Sequence, residues 1–295
     1  MNKKVKLVKY DNRIVVFMDI LGFKKIISDS DTDENKLNVI HKCLRFLKAR
    51  ELPAKWNLKF IQIEEDAQKR GVYLFDISKS AVCTAFSDSI VVSADYTEDN
   101  INEVTSTIVA NLAFIGAFLI SEGILIRGAI TIGKLLHKSE GIIMGQALIE
   151  AYELESRAAK YPRIILSERL IRKLNYPIET KRNRYPYHQY VDRFSDGCVG
   201  FHQMTFFQVN QSWEGMSKSR LKRELKKVKQ TIINGLDSTF ENADIYEKFV
   251  WLRSQYDGLL IFCDGAKEKI FNLNENISGQ NIHFSNTDNF LFPKK

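Results

Sequence analysis

Between Arg13 and Asp19 the chain reads RIVVFMD, and this stretch restricts the fold more than any other. Its five consecutive apolar residues leave no polar face, so a strand formed here must be covered on both sides. The run stops at Asp19, and ILGFKKII then reads as a turn opening into a helix. Asp31, Thr32 and Asp33 offer capping oxygens before a second helix, in which Leu37, Ile40, Leu44 and Leu47 recur at spacings of three and four. Trp56 to Tyr73 shows no clear period.

From Ala81 to Ala94 the reading is strand, tight turn, strand: AVCTAF, then Ser87-Asp88-Ser89, then IVVSA. Aspartate and serine supply the local hydrogen bonds that such turns use, and a carboxylate stands at the tip. Ile101, Val104, Ile108, Leu112, Ile115 and Leu119 mark a long helix ended by Gly123. A strand over Ile124 to Gly133 follows. Gly141 to Met144 begins a short strand, Ala147 to Ala159 is a helix, and PRIILS is a further strand. The order β-α-β-β-α-β with an appended β-α-β predicts an α+β fold, a split-βαβ (ferredoxin-like) sheet with helices on one face, over residues 1–175.

Residues 176–295 read as an extension. His188 to Phe194 and Cys198 to Gln203 flank Ser195-Asp196-Gly197, which predicts a β-hairpin. Two helical segments follow, a basic one from Met216 to Leu236 and another carrying Tyr246, Phe249, Val250 and Leu252. The Asn- and Ser-rich sequence from Asn272 onward reads as loop.

Composition removes several function classes. With 44% hydrophobic residues the chain is not intrinsically disordered. Its longest clean apolar run, Leu112 to Ile120, is short of the roughly 20 residues of a membrane span. The start lacks a secretory signal, and four isolated cysteines, Cys43, Cys83, Cys198 and Cys263, fit a reducing compartment, so a cytoplasmic location is expected. The net charge of +7 gathers in KKVKLVK and in KSRLKRELKKVK. The second is read as the solvated face of a helix, with no membrane or nucleic-acid partner expected.

Asp19 ends the first strand and Asp88 tips the hairpin, and a split-βαβ sheet can set those strands side by side. Two carboxylates at one sheet edge are hard oxygen ligands suited to Mg²⁺ or Mn²⁺ with substrate phosphates. Leu21-Gly22-Phe23 opens a helix whose first N–H groups attract phosphate oxygens. Taken singly, an Asp at a strand end is a helix cap and an Asp in a turn bonds its own backbone. Arg127 interrupts an apolar strand and is either paired with an acid or placed as a cation beside a triphosphate.

FMDILGF (Phe17 to Phe23), FSDSI (Phe86 to Ile90), IRGAITIG (Ile126 to Gly133) and GQALIEAYELES (Gly145 to Ser156) followed by YPRIILS resemble the class III nucleotidyl cyclase domain. More closely, they resemble the pyrimidine nucleotide cyclases of bacterial Pycsar anti-phage systems, whose extension DRFSDG and KFVWLRSQY also resemble. The resemblance implies two metal ions, Mg²⁺ or Mn²⁺, held by Asp19, Asp88 and the main-chain carbonyl of Ile20. It also implies phosphates at Leu21, Gly22 and Phe23, with Ser87 beside them.

Thr84 and Ile142 stand where purine-using relatives carry polar base readers, which favours a pyrimidine, UTP before CTP. Ile149 and Glu153 stand where the family places a transition-state Asn and Arg, so Arg127 and Lys134 are the candidate cations. Tyr152 is either a ring that stacks on the base or core packing. The implied activity is conversion of UTP to 3′,5′-cyclic UMP and pyrophosphate by a homodimer with shared sites, the product acting on a separate effector protein. A cytidylate cyclase and a catalytically inactive nucleotide-binding module are the alternatives. A nucleic-acid binder rests on charge alone.

Overall fold

The computed structural model describes residues 8–31, 33–34, 37–38, 41, 81–174, 176, 187–209 and 218–262. Most of the helix expected between Asp33 and Leu47, the Trp56–Tyr73 segment and the tail from Asn272 lie outside the described residues.

The first strand, β1 (Asp11–Ile20), alternates its burial between two layers. Ile14, Val16, Met18 and Ile20 enter the large core, while Val15 and Phe17 enter a second one with Leu135, Ala147 and Ala151. It is followed by α1 (Phe23–Ser30), then the hairpin β2 (Val82–Phe86) and β3 (Ser89–Asp95). Next come α2 (Ile101–Ser121), β4 (Ile126–His137), β5 (Ile143–Met144), α3 (Gln146–Arg157), β6 (Arg163–Leu166) and the short α4 (Glu168–Lys173). The strand order β2-β3-β1-β4, with every neighbouring pair antiparallel, is the split-βαβ arrangement expected from the sequence. β6 then adds to β4 in parallel.

Helices cover both faces, which corrects the expectation of one. α2 lies in the large core, whereas the buried stripe of α3 begins with Ala147 and Ala151, packed on Val15 and Phe17. An all-apolar β1 requires this, because each face of the strand needs its own cover. α2 is longer and more apolar than the clean run Leu112 to Ile120 suggests. By length and composition it is apolar enough to cross one, yet 89% of its most apolar window is buried inside this protein. Its Thr, Ser, Asn and Gly residues interrupt the clean run without making it polar.

The later sequence joins the same sheet. Tyr187–Tyr190 is a helical turn, α5, rather than the start of a strand, and only Asp192–Arg193 (β7) pairs with β8 (Val199–His202). Tyr190 and Val191 are drawn into the core, which overrides their β-rich composition. β8 pairs antiparallel with β6, so the hairpin extends the sheet to β2-β3-β1-β4-β6-β8-β7. α6 (Thr205–Val209), α7 (Lys218–Ser238) and α8 (Ala243–Phe262) complete the described chain. Leu221, Leu225, Val228, Ile232 and Leu236 of α7 share the large core with Leu252, Tyr256 and Leu259 of α8.

Two buried polar side chains fasten this later part to the rest. Arg163 is 1% exposed; its guanidinium is held by Asp196 and by the Ala158 carbonyl at 3.2 Å, with the rings of Phe194 and Trp251 at 4.7 and 5.9 Å. Gln203 accepts from the Ile126 N–H at 2.9 Å and donates to the carbonyls of Gly116 and Ile124 at 3.2 and 3.0 Å. It thereby satisfies the backbone where the chain enters β4.

Candidate active site

Asp19 is the penultimate residue of β1 and pairs in register with Ser89 on one side and Arg127 on the other. Phe86 and Ser89 close the hairpin, so Ser87 and Asp88 are its two turn residues. Ser87 takes a positive φ of 56°, as a tight hairpin turn demands. Ser89, placed by sequence in the turn, is the first residue of β3. The Ile20 N–H donates to the Asp88 carbonyl at 3.1 Å and ties the tip to the end of β1. Asp19 and Asp88 are thus brought together as expected, close enough for Asp88 to bear on the titration of Asp19. Burial first, and then the Asp88 charge, push the Asp19 carboxyl above its usual range, against the pull of Arg127.

Beyond Ile20 the chain turns at Gly22, with φ 73° and ψ 17°, and enters α1 with no side-chain cap. No atom lies within 4 Å of where a Cβ would sit, so this glycine is required by its left-handed backbone and not by lack of room. The Leu21 N–H is bonded to the Leu125 carbonyl at 2.9 Å, which removes it from the anion-binding set. Gly22, Phe23 and the residue after them keep the helix-start donors that have no intrahelical acceptor.

Arg127 is held between acids. Its Nη2 is 3.4 Å from Asp19 Oδ2, and its Nε is 2.5 Å from Glu155 Oε1, off the line of a good hydrogen bond. The acid pairing that its place in an apolar strand called for is thus present. Glu155, 2% exposed, is the group the sequence reading missed. Burial pushes its carboxyl up to about 7 despite Arg127. A signal was present, since Ala147, Ala151 and Glu155 recur every four residues and share the buried stripe of α3. An acid on such a stripe requires a cation beneath it.

The remaining candidates divide. Thr84 lies on the same face as Asp19, opposite Val91, and its Oγ1 is 2.9 Å from His137 Nε2. Ile142 sits in the β4–β5 turn with its carbonyl bonded to the Lys138 N–H, and it is exposed. Lys134 pairs with Asn12, seven register positions from Asp19 and roughly 23 Å along the strand. The structure therefore does not bring Lys134 to the carboxylates of its own chain. Ile149 is exposed, and Glu153 points to Arg157 at 3.9 Å. Tyr152 meets Phe17 edge-on at 5.5 Å and is still half exposed. Among the described residues, no group of three His, Cys, Asp or Glu is gathered as a metal cage.

No protein-family model matches the sequence, and no curated protein matches it. Among solved structures, the chain is similar to the monomeric guanylyl cyclase domain of the RhoGC fusion protein from the aquatic fungus Blastocladiella emersonii. The identity is 16% and the TM-score 0.38, covering 66% of this chain and 96% of that one. It is also similar to the catalytic core of a rhodopsin-guanylyl cyclase with converted specificity, solved in complex with ATPαS. There the identity is 13% and the TM-score 0.37, covering 65% and 94%.

Proposed function

We propose that this chain is a pyrimidine nucleotide cyclase that converts UTP to 3′,5′-cyclic UMP and pyrophosphate. In this reading it acts in the cytoplasm as a source of a second messenger in anti-phage defence. The observation that carries the reading is the juxtaposition of Asp19 and Asp88 by the Ile20–Asp88 backbone bond, beside a helix start.

The two carboxylates fit a divalent cation. Asp19 is crowded by burial and by Asp88, a repulsion that a cation between them relieves. Asp19, Asp88 and the Ile20 carbonyl would hold Mg²⁺ or Mn²⁺, two ions by the class III resemblance. When bound, these ions supply charge neutralisation for the triphosphate and a more acidic ribose 3′-hydroxyl. The chain's own residues position the rest. Gly22 and Phe23 offer N–H groups to phosphate oxygens. Arg127 holds Asp19 from one side and pulls against the burial and the Asp88 charge that raise its carboxyl. The O3′–Pα bond forms as the bond from Pα to pyrophosphate breaks in line, and the 3′-hydroxyl proton passes to solvent.

Arg127 is held by Asp19 and Glu155, so this reading takes a further cation for the α-phosphate from elsewhere. A homodimer with shared sites meets that need. Ile142, Met144, Ile149 and Tyr152, each about half exposed around β5 and α3, support a covered apolar face. The test is incubation of the purified protein with each of the four nucleoside triphosphates and Mn²⁺, with mass identification of products across a dilution series. Cyclic UMP is expected to dominate, with specific activity falling on dilution. Dominant cyclic CMP moves the assignment to a cytidylate cyclase, and dominant cyclic AMP or GMP overturns the pyrimidine reading. The paired state of Arg127 favours one other reading, a nucleotide-binding module without turnover. That reading predicts binding with no product.

A further inference from the structure

Glu155 is a buried acid beside the candidate site, and the proposed reaction gives it no role. It is 2% exposed on α3, and packing fixes it from both sides. Before it, Ala147 and Ala151 share a core with Val15 and Phe17 of β1; beyond it, Ala159 shares another with Ala129 and Ile165. α3 also lies close on β4, since a Cβ on Gly145 would sit 2.5 Å from the Lys134 carbonyl and one on Gly133 would sit 3.2 Å from Ala147. A side chain seated in such packing holds one place.

Phe17 enters the layer under α3, and Asp19, two residues on, shares that face of the sheet; Arg127 is its register partner and shares it too. The guanidinium is divided unequally between its acids, with Nε 2.5 Å from Glu155 Oε1 and Nη2 3.4 Å from Asp19 Oδ2. The charges act as one group. Asp88 raises the Asp19 carboxyl, Asp19 and Asp88 both raise that of Glu155, and Arg127 lowers both. When all are ionised, three carboxylates against one guanidinium leave two negative charges, which match one divalent cation. Without the charge on Glu155 one negative charge is left, and the contact that draws Arg127 away from Asp19 is gone. A guanidinium so released can close the 3.4 Å gap and take both carboxylate oxygens as a forked pair. Those oxygens are the ones a divalent cation needs.

We propose that Glu155 is a positioning residue for the divalent cation: it holds the Arg127 guanidinium off Asp19 and so keeps that carboxylate open to the metal. Glu155 is not a ligand in this account and acts through Arg127. The inference rests on the cation reading of Asp19 and Asp88.

The test is binding of Mn²⁺ alone to the full chain, read by water-proton relaxation at pH 8, above the value of about 7 to which burial pushes Glu155. Glu155→Gln keeps the shape of the side chain and removes its charge. It should weaken Mn²⁺ binding by at least about tenfold, the lower end of what losing a group behind a metal ligand costs. Adding Arg127→Met to Glu155→Gln should restore most of that loss, because the competitor for Asp19 is gone; a merely structural role for Glu155 predicts no such rescue. Arg127→Met alone keeps Glu155, serves as the test if Glu155→Gln fails to fold, and should bind Mn²⁺ no more weakly than the native chain. Unchanged affinity in Glu155→Gln, a double variant as weak as Glu155→Gln, or weakened binding in Arg127→Met each overturns the inference and leaves the cation reading standing. A native chain that takes up no Mn²⁺, or binding undiminished by Asp19→Asn, overturns the inference and the cation reading together.

Discussion

Asp19 is the residue on which the site turns, since it meets Asp88 on one side and Arg127 on the other. Asp19→Asn and Asp88→Asn should each lower cyclic nucleotide formation by at least about a hundredfold, the scale of a lost positioned electrostatic group. Neither should lower the melting temperature, because each removes one of two mutually repelling charges. Full activity in either variant would remove the carboxylate pair from the chemistry. Arg127 and Glu155 give a different signature. Arg127→Ala leaves Glu155 buried without its cation and should lower the urea midpoint most above about pH 7, where Glu155 is ionised. Arg127→Met combined with Glu155→Gln should recover most of that loss, whereas additive losses would show that the two side chains do not act as a pair.

Among the elements, β1 and β4 position the site, and two glycines show how differently they are constrained. A Cβ at Gly128 of β4 would sit 2.6 Å from the Phe17 carbonyl and 2.9 Å from the Met18 side chain. Gly128→Ala must therefore push β4 off β1 next to Arg127 and Asp19. Gly22→Ala meets no atom and bears only the cost of a left-handed backbone, on the order of 1–2 kcal/mol. Chemical denaturation should rank Gly128→Ala well below Gly22→Ala, and equal losses would contradict the close strand approach.

The order β-α-β-β-α-β and the Asp19–Asp88 meeting were legible because alternation, turn residues and strand order are local or topological properties. Glu155 and the hydrogen bonds of His137 to Ser93 and Thr84 were not read, because each depends on which side chains cross from one element to another. His137 looks like one more polar residue at a strand end until β2 and β3 are known to lie within its reach. The two-sided cover of β1 was implied by RIVVFMD and contradicted by a one-sided layer of helices. The strand pattern was the better guide.

For the whole molecule, buried titrating groups set two opposing slopes. His137 and His202 are pushed down to about 4 by burial, so the unfolded chain takes up protons below 6.5 that the fold refuses. Stability from these groups is lost as pH falls from about 6.5 to about 4. Glu155, pushed up to about 7, and Asp257, pushed up to about 6, hold protons in the fold that the unfolded chain has released. Their contribution is lost as pH rises from about 4 toward 7. Glu155→Gln removes one descending slope, so urea midpoints between pH 4.5 and 6.5 should climb more steeply than in the native chain. A profile parallel to the native one would mean that Glu155 does not titrate in that window.

Arg163 and Gln203 carry a consequence for anyone who would shorten this protein. Asp196, Phe194 and Trp251 shelter the first, and the second closes the backbone one residue before Arg127. A gene cut after residue 175 would yield a product with a naked guanidinium in its interior and an unmet amide beside Arg127 and Asp19. Residues 1–175 are not portable by themselves: a biosensor or a split reporter built from them has to carry both fragments.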